Sequence, residues 1–107
     1  MASADDRVVR RRVSIVNERG LHARAAAKFV QLAERFDAEI VVAKDDLDVP
    51  GTSIMGLLML AAAKNCVIEL RATGSDASAA IARLAELVGA GFDEGRNSPG
   101  RSGSATE

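Results

Sequence analysis

The only histidine of the chain, His22, lies in the segment GLHAR at residues 20–24, directly before a run of alanines. Because Gly20 interrupts the preceding pattern and alanine favours helices, we expect His22 at or beside a helix N-terminus. Such a terminus offers unpartnered backbone N–H groups and partial positive charge, which together bind phosphate or carboxylate. The same charge favours a neutral, nucleophilic imidazole, and Arg24 adds a guanidinium suited to phosphate oxygens. This arrangement would suit transient phosphorylation of His22, because a nucleophilic histidine can act as a covalent catalyst.

Other chemistry finds less support in the residues. On spacing alone, a lone histidine near a helix start is more often an ordinary surface or capping residue than a phosphorylation site. Cys66 and the scattered carboxylates form no recognisable ligand set, so we expect no metal and no cofactor. A Ser-His or Cys-His hydrolase is disfavoured because the sequence lacks a nucleophile-elbow pattern.

Length and composition indicate one globular domain. The chain has 107 residues, of which 48% are hydrophobic and 27% charged. A formal net charge of -1 and the lack of Trp and Tyr argue against nucleic-acid binding. The most apolar run, residues 54–63, is shorter than the roughly 20 residues of a membrane helix. With no signal segment evident and one cysteine, we expect a cytoplasmic protein.

Composition and periodicity divide the chain into three parts. Residues 1–6 are small and polar and are expected to form a flexible N-terminus, while the Gly, Ser and Pro of residues 95–107 predict a disordered tail. The folded domain is therefore expected over residues 7–94. Its pattern predicts the order β-α-β-β-α-β-α, and a sheet with helices on one face gives an α+β class. The predicted strands are Val9 to Val16, two strands within 38–49 around a turn at 44–46, and a strand over 67–73. The predicted helices cover 23–36 and 53–62, and a last helix follows the final strand. Asp76 is expected to cap this last helix, and Gly89 and Gly91 are expected to end it.

Two separate motifs carry a family resemblance. GLHAR at 20–24 and TSIMGLLML at 52–60 stand in the order and at the spacing typical of the HPr family, the histidine-containing phosphocarrier proteins of the bacterial phosphoenolpyruvate-dependent phosphotransferase system. The chain resembles this family from about Val8 to Glu94. The resemblance implies an HPr-like open-faced β-sandwich, in which an antiparallel four-stranded sheet is covered on one face by three helices.

The resemblance also implies a phosphocarrier rather than an enzyme. His22 would accept phosphate from enzyme I and pass it to an EIIA-type acceptor, with Arg24 stabilising the phosphate and the backbone of Ala23, Arg24 and Ala25 forming its cradle. A monomer without nucleic-acid or membrane partners is expected. The family usually has proline where this chain has Ala25, and alanine restores one backbone N–H near the phosphate.

A second group of candidate residues lies around the predicted helix 53–62. Ser53 matches the family's regulatory serine, which an HPr serine kinase/phosphorylase modifies in some bacteria, and serine is also a preferred helix N-cap. The helix itself is apolar almost all round. We therefore expect Ile54, Met55 and Leu58 to form a docking surface beside His22, although the same pattern also fits a fully buried helix.

Four short segments indicate one branch of the family, and a fifth indicates the other. FDAEI at 36–40, LLML at 57–60, ATG at 72–74 and GFDE at 91–94 are similar to the nitrogen-related branch, often called NPr. TSIMG at 52–56 is more typical of HPr proper. We favour a regulatory, nitrogen-related phosphotransferase system. The alternatives are a general sugar-transport phosphocarrier and a small-molecule-binding regulatory domain that is not phosphorylated.

Overall fold

The structure, a computed structural model, describes residues 8–93. It confirms the predicted order of elements, and the expectations for residues 1–6 and 95–107 lie outside the described residues. The strands are β1 (Val9–Ser14), β2 (Glu39–Lys44), β3 (Leu47–Pro50) and β4 (Val67–Thr73); the helices are α1 (Ala23–Ala33), α2 (Ile54–Met59) and α3 (Ala77–Gly89), and a short 3-10 turn covers Gly91–Asp93.

The four strands form one antiparallel sheet in the order β1-β4-β2-β3. Alternation along β4 separates its two faces, because successive side chains of a strand point to opposite sides. Its even-numbered residues Ile68, Leu70 and Ala72 are buried against the helices. On the open face, Arg71 donates to Glu69 at 2.6 Å and to Asp48 at 2.8 Å, while Arg10 lies 3.7 Å from Glu69. The sheet therefore has one apolar face and one charged face.

The helices cover the apolar face, as expected for an open-faced β-sandwich. Apolar residues recur at helical spacing in the two longer helices, so each buries one side. The buried residues of α1 are Ala25, Ala26, Phe29, Val30 and Ala33. Those of α3 are Ala77, Ala80, Ile81, Leu84, Ala85 and Val88. Together with the inward residues of the sheet they form one core.

The ends of the helices depart from the predicted bounds. The first helix stops at Ala33 rather than residue 36, and the second stops at Met59, after which the chain turns at Ala61 with a φ of 51°. Asp76 does occupy the N-cap position of α3, but its side chain makes no capping bond there. The carboxylate instead accepts the backbone N–H of Asp37 at 2.6 Å, which joins this corner to the start of β2.

The C-terminal end of α3 lies at the two glycines expected to end it. Gly89 is the last residue of the helix, whereas Gly91 adopts a φ of 66° and turns the chain. A residue with positive φ just beyond a helix is a common terminator, and glycine takes this conformation without strain. The turn directs Phe92 into the core, where it is fully buried.

Candidate functional site

His22 occupies the N-cap position of α1, with extended backbone angles of φ -84° and ψ -179°. Its carbonyl oxygen accepts the N–H of Ala26 at 2.8 Å, which is the first hydrogen bond of the helix. The N–H groups of Ala23, Arg24 and Ala25 therefore have no acceptor within the helix. The half-buried imidazole does not cap the helix. The predicted arrangement of a histidine beside a helix N-terminus is thus present.

The three residues after His22 differ in what they expose. Ala23 and Arg24 are exposed, so the guanidinium is accessible to a ligand at this end of the helix. Ala25 is the third helical residue, and its side chain is fully buried. Its N–H still belongs to the unpartnered first turn. The structure therefore brings His22, the Arg24 backbone and the extra N–H of Ala25 to one helix terminus.

The loop that precedes His22 is held against the segment that follows α2. Leu21 donates its N–H to the carbonyl of Ala62 at 2.9 Å. Gly20 has a φ of 66°, and a Cβ atom at this position would lie 2.5 Å from the same Ala62 oxygen. Only glycine satisfies both the backbone angle and the close approach. This contact places the phosphorylation candidate next to the end of α2.

An exposed ion pair spans the same junction. Lys64 hydrogen-bonds the carboxylate of Glu18, and this bond, followed by charge attraction, lowers the pKa of Glu18 from its usual value. Because both side chains are substantially exposed, the pair contributes modestly to stability. It nevertheless adds a second connection between the two segments.

Ser53 forms the N-cap of α2. Its Oγ accepts the N–H of Gly56 at 2.9 Å, which confirms the capping geometry expected from the sequence. Gly56 permits close packing there, since a Cβ atom at this residue would lie 3.1 Å from the Cβ of Val49 on β3. Ser53 is half-buried and stands next to the exposed residue Thr52.

The helix α2 exposes a large part of its apolar surface. Ile54 is 40% exposed, Met55 is 68% exposed and Leu58 is half-buried. Met59 is 65% exposed and was not among the residues expected to dock a partner. Its position four residues after Met55 was the available signal, because such residues share one side of a helix. We call Ile54, Met55, Leu58 and Met59 the apolar patch.

The apolar patch and His22 belong to neighbouring elements. Helix α2 packs against α1, and the contact between Ala62 and Leu21 joins their ends. An exposed apolar surface of several large side chains is typical of a site that binds other proteins. The geometry can therefore serve a partner that must reach the histidine.

Two further features of residues 8–93 bear on the kind of site. No group of three or more His, Cys, Asp or Glu side chains in this range is arranged to hold a metal ion. Nor does this range contain a helix with the length and apolarity needed to span a membrane.

Comparisons with known proteins agree with this geometry. The family described as "PTS HPr component phosphorylation site" matches residues 9–90. The phosphocarrier protein HPr of Neisseria meningitidis serogroup A is 48% identical over 88 residues, covering 82% of this chain and 99% of that protein. The phosphocarrier protein NPr of Shewanella violacea is 45% identical over 84 residues, covering 78% and 92%. The crystal structure of HPr-C-His from Thermoanaerobacter tengcongensis superimposes with a TM-score of 0.77 at 41% identity, covering 80% of this chain and 97% of that one. The chain belongs to the HPr family of the phosphotransferase system, whose members are phosphocarrier proteins phosphorylated on histidine rather than enzymes.

Proposed function

We propose that this chain accepts a phosphoryl group from enzyme I on His22 and passes it to an EIIA-type acceptor. One observation carries the proposal: the single histidine of the chain is the N-cap of α1, beside three N–H groups without an intrahelical acceptor. A phosphorylated imidazole brings negative charge to this position. The helix terminus and the guanidinium of Arg24 stabilise that charge.

The transfer needs only a nucleophile and a stabilised phosphate. A nitrogen of the neutral imidazole attacks the phosphorus of the phosphorylated donor, and the bond between phosphorus and the donor breaks as the new P–N bond forms. The acceptor then attacks the same phosphorus, and the P–N bond to His22 breaks. The backbone of Ala23, Arg24 and Ala25 cradles the phosphate between these two steps.

The apolar patch supports docking of both partners. Each partner must bring its own reactive group to His22, so a binding surface on the neighbouring helix is suitably placed. Met55 and Met59 are flexible and largely exposed, which suits a surface that binds more than one protein. Ile54 directly follows Ser53, the proposed regulatory phosphorylation site, so the apolar patch begins beside this serine.

We infer that the acceptor belongs to a regulatory, nitrogen-related system. The segments FDAEI, LLML, ATG and GFDE support this branch, and an NPr protein is among the similar relatives. A general sugar-transport role is the second candidate. TSIMG at residues 52–56 favours it, as does the 48% identity with an HPr protein.

Intact mass measurement tests the transfer. The protein is incubated with enzyme I and phosphoenolpyruvate, and we expect the gain of one acid-labile phosphate. His22→Ala serves as the control. It is expected to fold normally, because the imidazole is half-buried and does not cap α1, and to gain no phosphate. A phosphorylated His22→Ala protein would exclude His22 as the acceptor residue.

The branch is tested by offering two acceptors at equal concentration. The phosphorylated protein is mixed with a nitrogen-related EIIA domain and with a sugar-specific EIIA domain, and the phosphate on each is followed over time. We expect faster transfer to the nitrogen-related domain. Faster transfer to the sugar-specific domain would establish the second candidate instead.

A further inference from the structure

Asn17 lies at a buried position in the loop before His22. Among residues 8–93 it is the one polar or charged residue classed as buried, with 8% exposure. Its Cβ lies within 3.4 Å of the place that a Cβ on Gly91 would occupy, so it is enclosed between this loop and the end of α3. Burying an amide is unfavourable unless it forms hydrogen bonds. The presence of Asn17 here therefore calls for a specific partner.

That partner is the carbonyl of Gly20, to which Asn17 Nδ2 donates at 2.9 Å. Gly20 returns a bond from its own N–H to the carbonyl of Asn17 at 3.2 Å. The turn from residue 17 to residue 20 is thus closed by the backbone and by a side chain. The Gly20 carbonyl also accepts the N–H of His22 at 3.0 Å. A single oxygen therefore joins the buried amide to the backbone of the histidine.

We propose that Asn17 is a positioning residue for His22. Its amide holds the Gly20 carbonyl, this carbonyl holds the His22 backbone, and the histidine is thereby kept at the α1 terminus. The backbone N–H of Leu21 is already held by the carbonyl of Ala62. The Asn17 amide therefore restrains the neighbouring carbonyl of Gly20. Phosphoryl transfer depends steeply on the alignment of the attacking atom, so a looser His22 transfers phosphate more slowly. The inference rests on the proposed role of His22.

Two variants and one control separate positioning from stability. Asn17→Ala removes the amide, and Asn17→Asp keeps its shape but has no N–H to donate at neutral pH. Ile81→Val removes one buried methyl group of α3 and serves as a destabilised control that leaves the loop intact. For each protein the kinetics of phosphorylation by enzyme I are measured, together with the unfolding midpoint. The ¹⁵N shifts of the His22 imidazole are recorded without phosphate.

We expect both Asn17 variants to lower kcat about tenfold or more while KM for the phosphocarrier stays unchanged, because the apolar patch is untouched. In Asn17→Ala the imidazole ¹⁵N shifts should also change, whereas Ile81→Val should resemble the parent in both measurements. Unchanged kcat in the Asn17 variants, or an equal loss in Ile81→Val, would overturn the inference. The imidazole spectrum decides the positioning role even if enzyme I does not phosphorylate the parent, so failure of the proposed function remains distinguishable.

Discussion

Leu21 donates its backbone N–H to the carbonyl oxygen of Ala62 at 2.9 Å, which joins the residue before His22 to the segment that follows α2. The bond lies between residues that are far apart in sequence. It couples the proposed phosphorylation site on α1 to the helix that carries the apolar patch. A partner that docks on α2 therefore meets His22 at a defined position.

Arg24→Ala should slow transfer without abolishing it. The guanidinium is exposed beside the α1 terminus, while the backbone N–H groups remain in the variant. Loss of one charge-assisted contact to phosphate corresponds to about 1.5–3 kcal/mol, or roughly ten- to a hundredfold in rate. Stopped-flow phosphorylation measures the effect. Arg35→Ala is the control, since this arginine is also exposed but lies beyond the far end of α1, and equal rates for both variants would remove Arg24 from the site.

Met59→Asp should weaken binding to enzyme I with little change in stability. The side chain is 65% exposed, so the carboxylate remains hydrated in the free protein but is desolvated at an interface. Isothermal titration of the two proteins measures the affinity. Leu47→Asp is the matched control, because Leu47 is an exposed apolar residue at the start of β3. Equal affinities for the two variants would exclude Met59 from the docking surface.

Ser53→Asp should also reduce affinity for enzyme I. Aspartate can accept the Gly56 N–H as serine does, so the cap is retained while a charge is added beside Ile54 and Met55. Ser53→Ala should lose the cap, which lowers the free energy of unfolding by about 1 kcal/mol, but its affinity for enzyme I should be unchanged. Titration and denaturant unfolding of both variants separate the two roles. Full affinity in Ser53→Asp would contradict the regulatory role of this serine.

Ala25→Pro should stabilise the fold and weaken the phosphate site. The N–H of Ala25 has no acceptor within α1, so proline removes no helical bond, and restriction of the unfolded chain adds roughly 0.4–1 kcal/mol. The same change deletes one donor from the proposed cradle. We expect a higher denaturant midpoint and a lower level of phosphorylation at a fixed ratio of phosphoenolpyruvate to pyruvate. An unaltered phosphorylation level would show that this N–H does not contact the phosphate.

Acid should remove the contribution of the Glu18–Lys64 pair to the stability of the folded protein. The bond and the charge of Lys64 lower the pKa of Glu18 in the folded protein below its usual 4.5. Because folding lowers this pKa, the pair stabilises the protein at pH values above 4.5. This stabilisation is lost as the pH falls through the lowered pKa of the folded protein. Wild type should therefore exceed Glu18→Gln slightly in stability at neutral pH, and the two should converge in acid. A difference that persists at a pH well below 4.5 would contradict this origin.

Local interactions allow the helix start beside His22 and the cap of α2 to be predicted from the sequence. The effects of Gly20 and of the alanine run extend over only a few residues, so these residues predict a helix that begins beside His22. Ser53 was recognised as an N-cap for the same reason. Alternation along residues 67–73 likewise indicates a strand on which Ile68, Leu70 and Ala72 share one side.

What only the tertiary structure decided depends on residues distant in sequence. The carboxylate of Asp76 binds the Asp37 N–H rather than capping α3, and the chain turns at Ala61 where Ala62 meets Leu21. The order β1-β4-β2-β3 follows from strand pairing, which alternation alone does not specify.

The burial of single residues was settled in the same way. Asn17 is a polar residue of a type common in exposed loops, yet it is buried because this loop packs against the end of α3. Met59 is a large apolar residue of a type common in protein cores, yet it is 65% exposed. Sequence periodicity states which residues share a side of an element, but burial depends on what packs against that side. That physical difference is why the position of His22 at a helix N-terminus could be predicted from the sequence, whereas the burial of Asn17 and the exposure of Met59 could not.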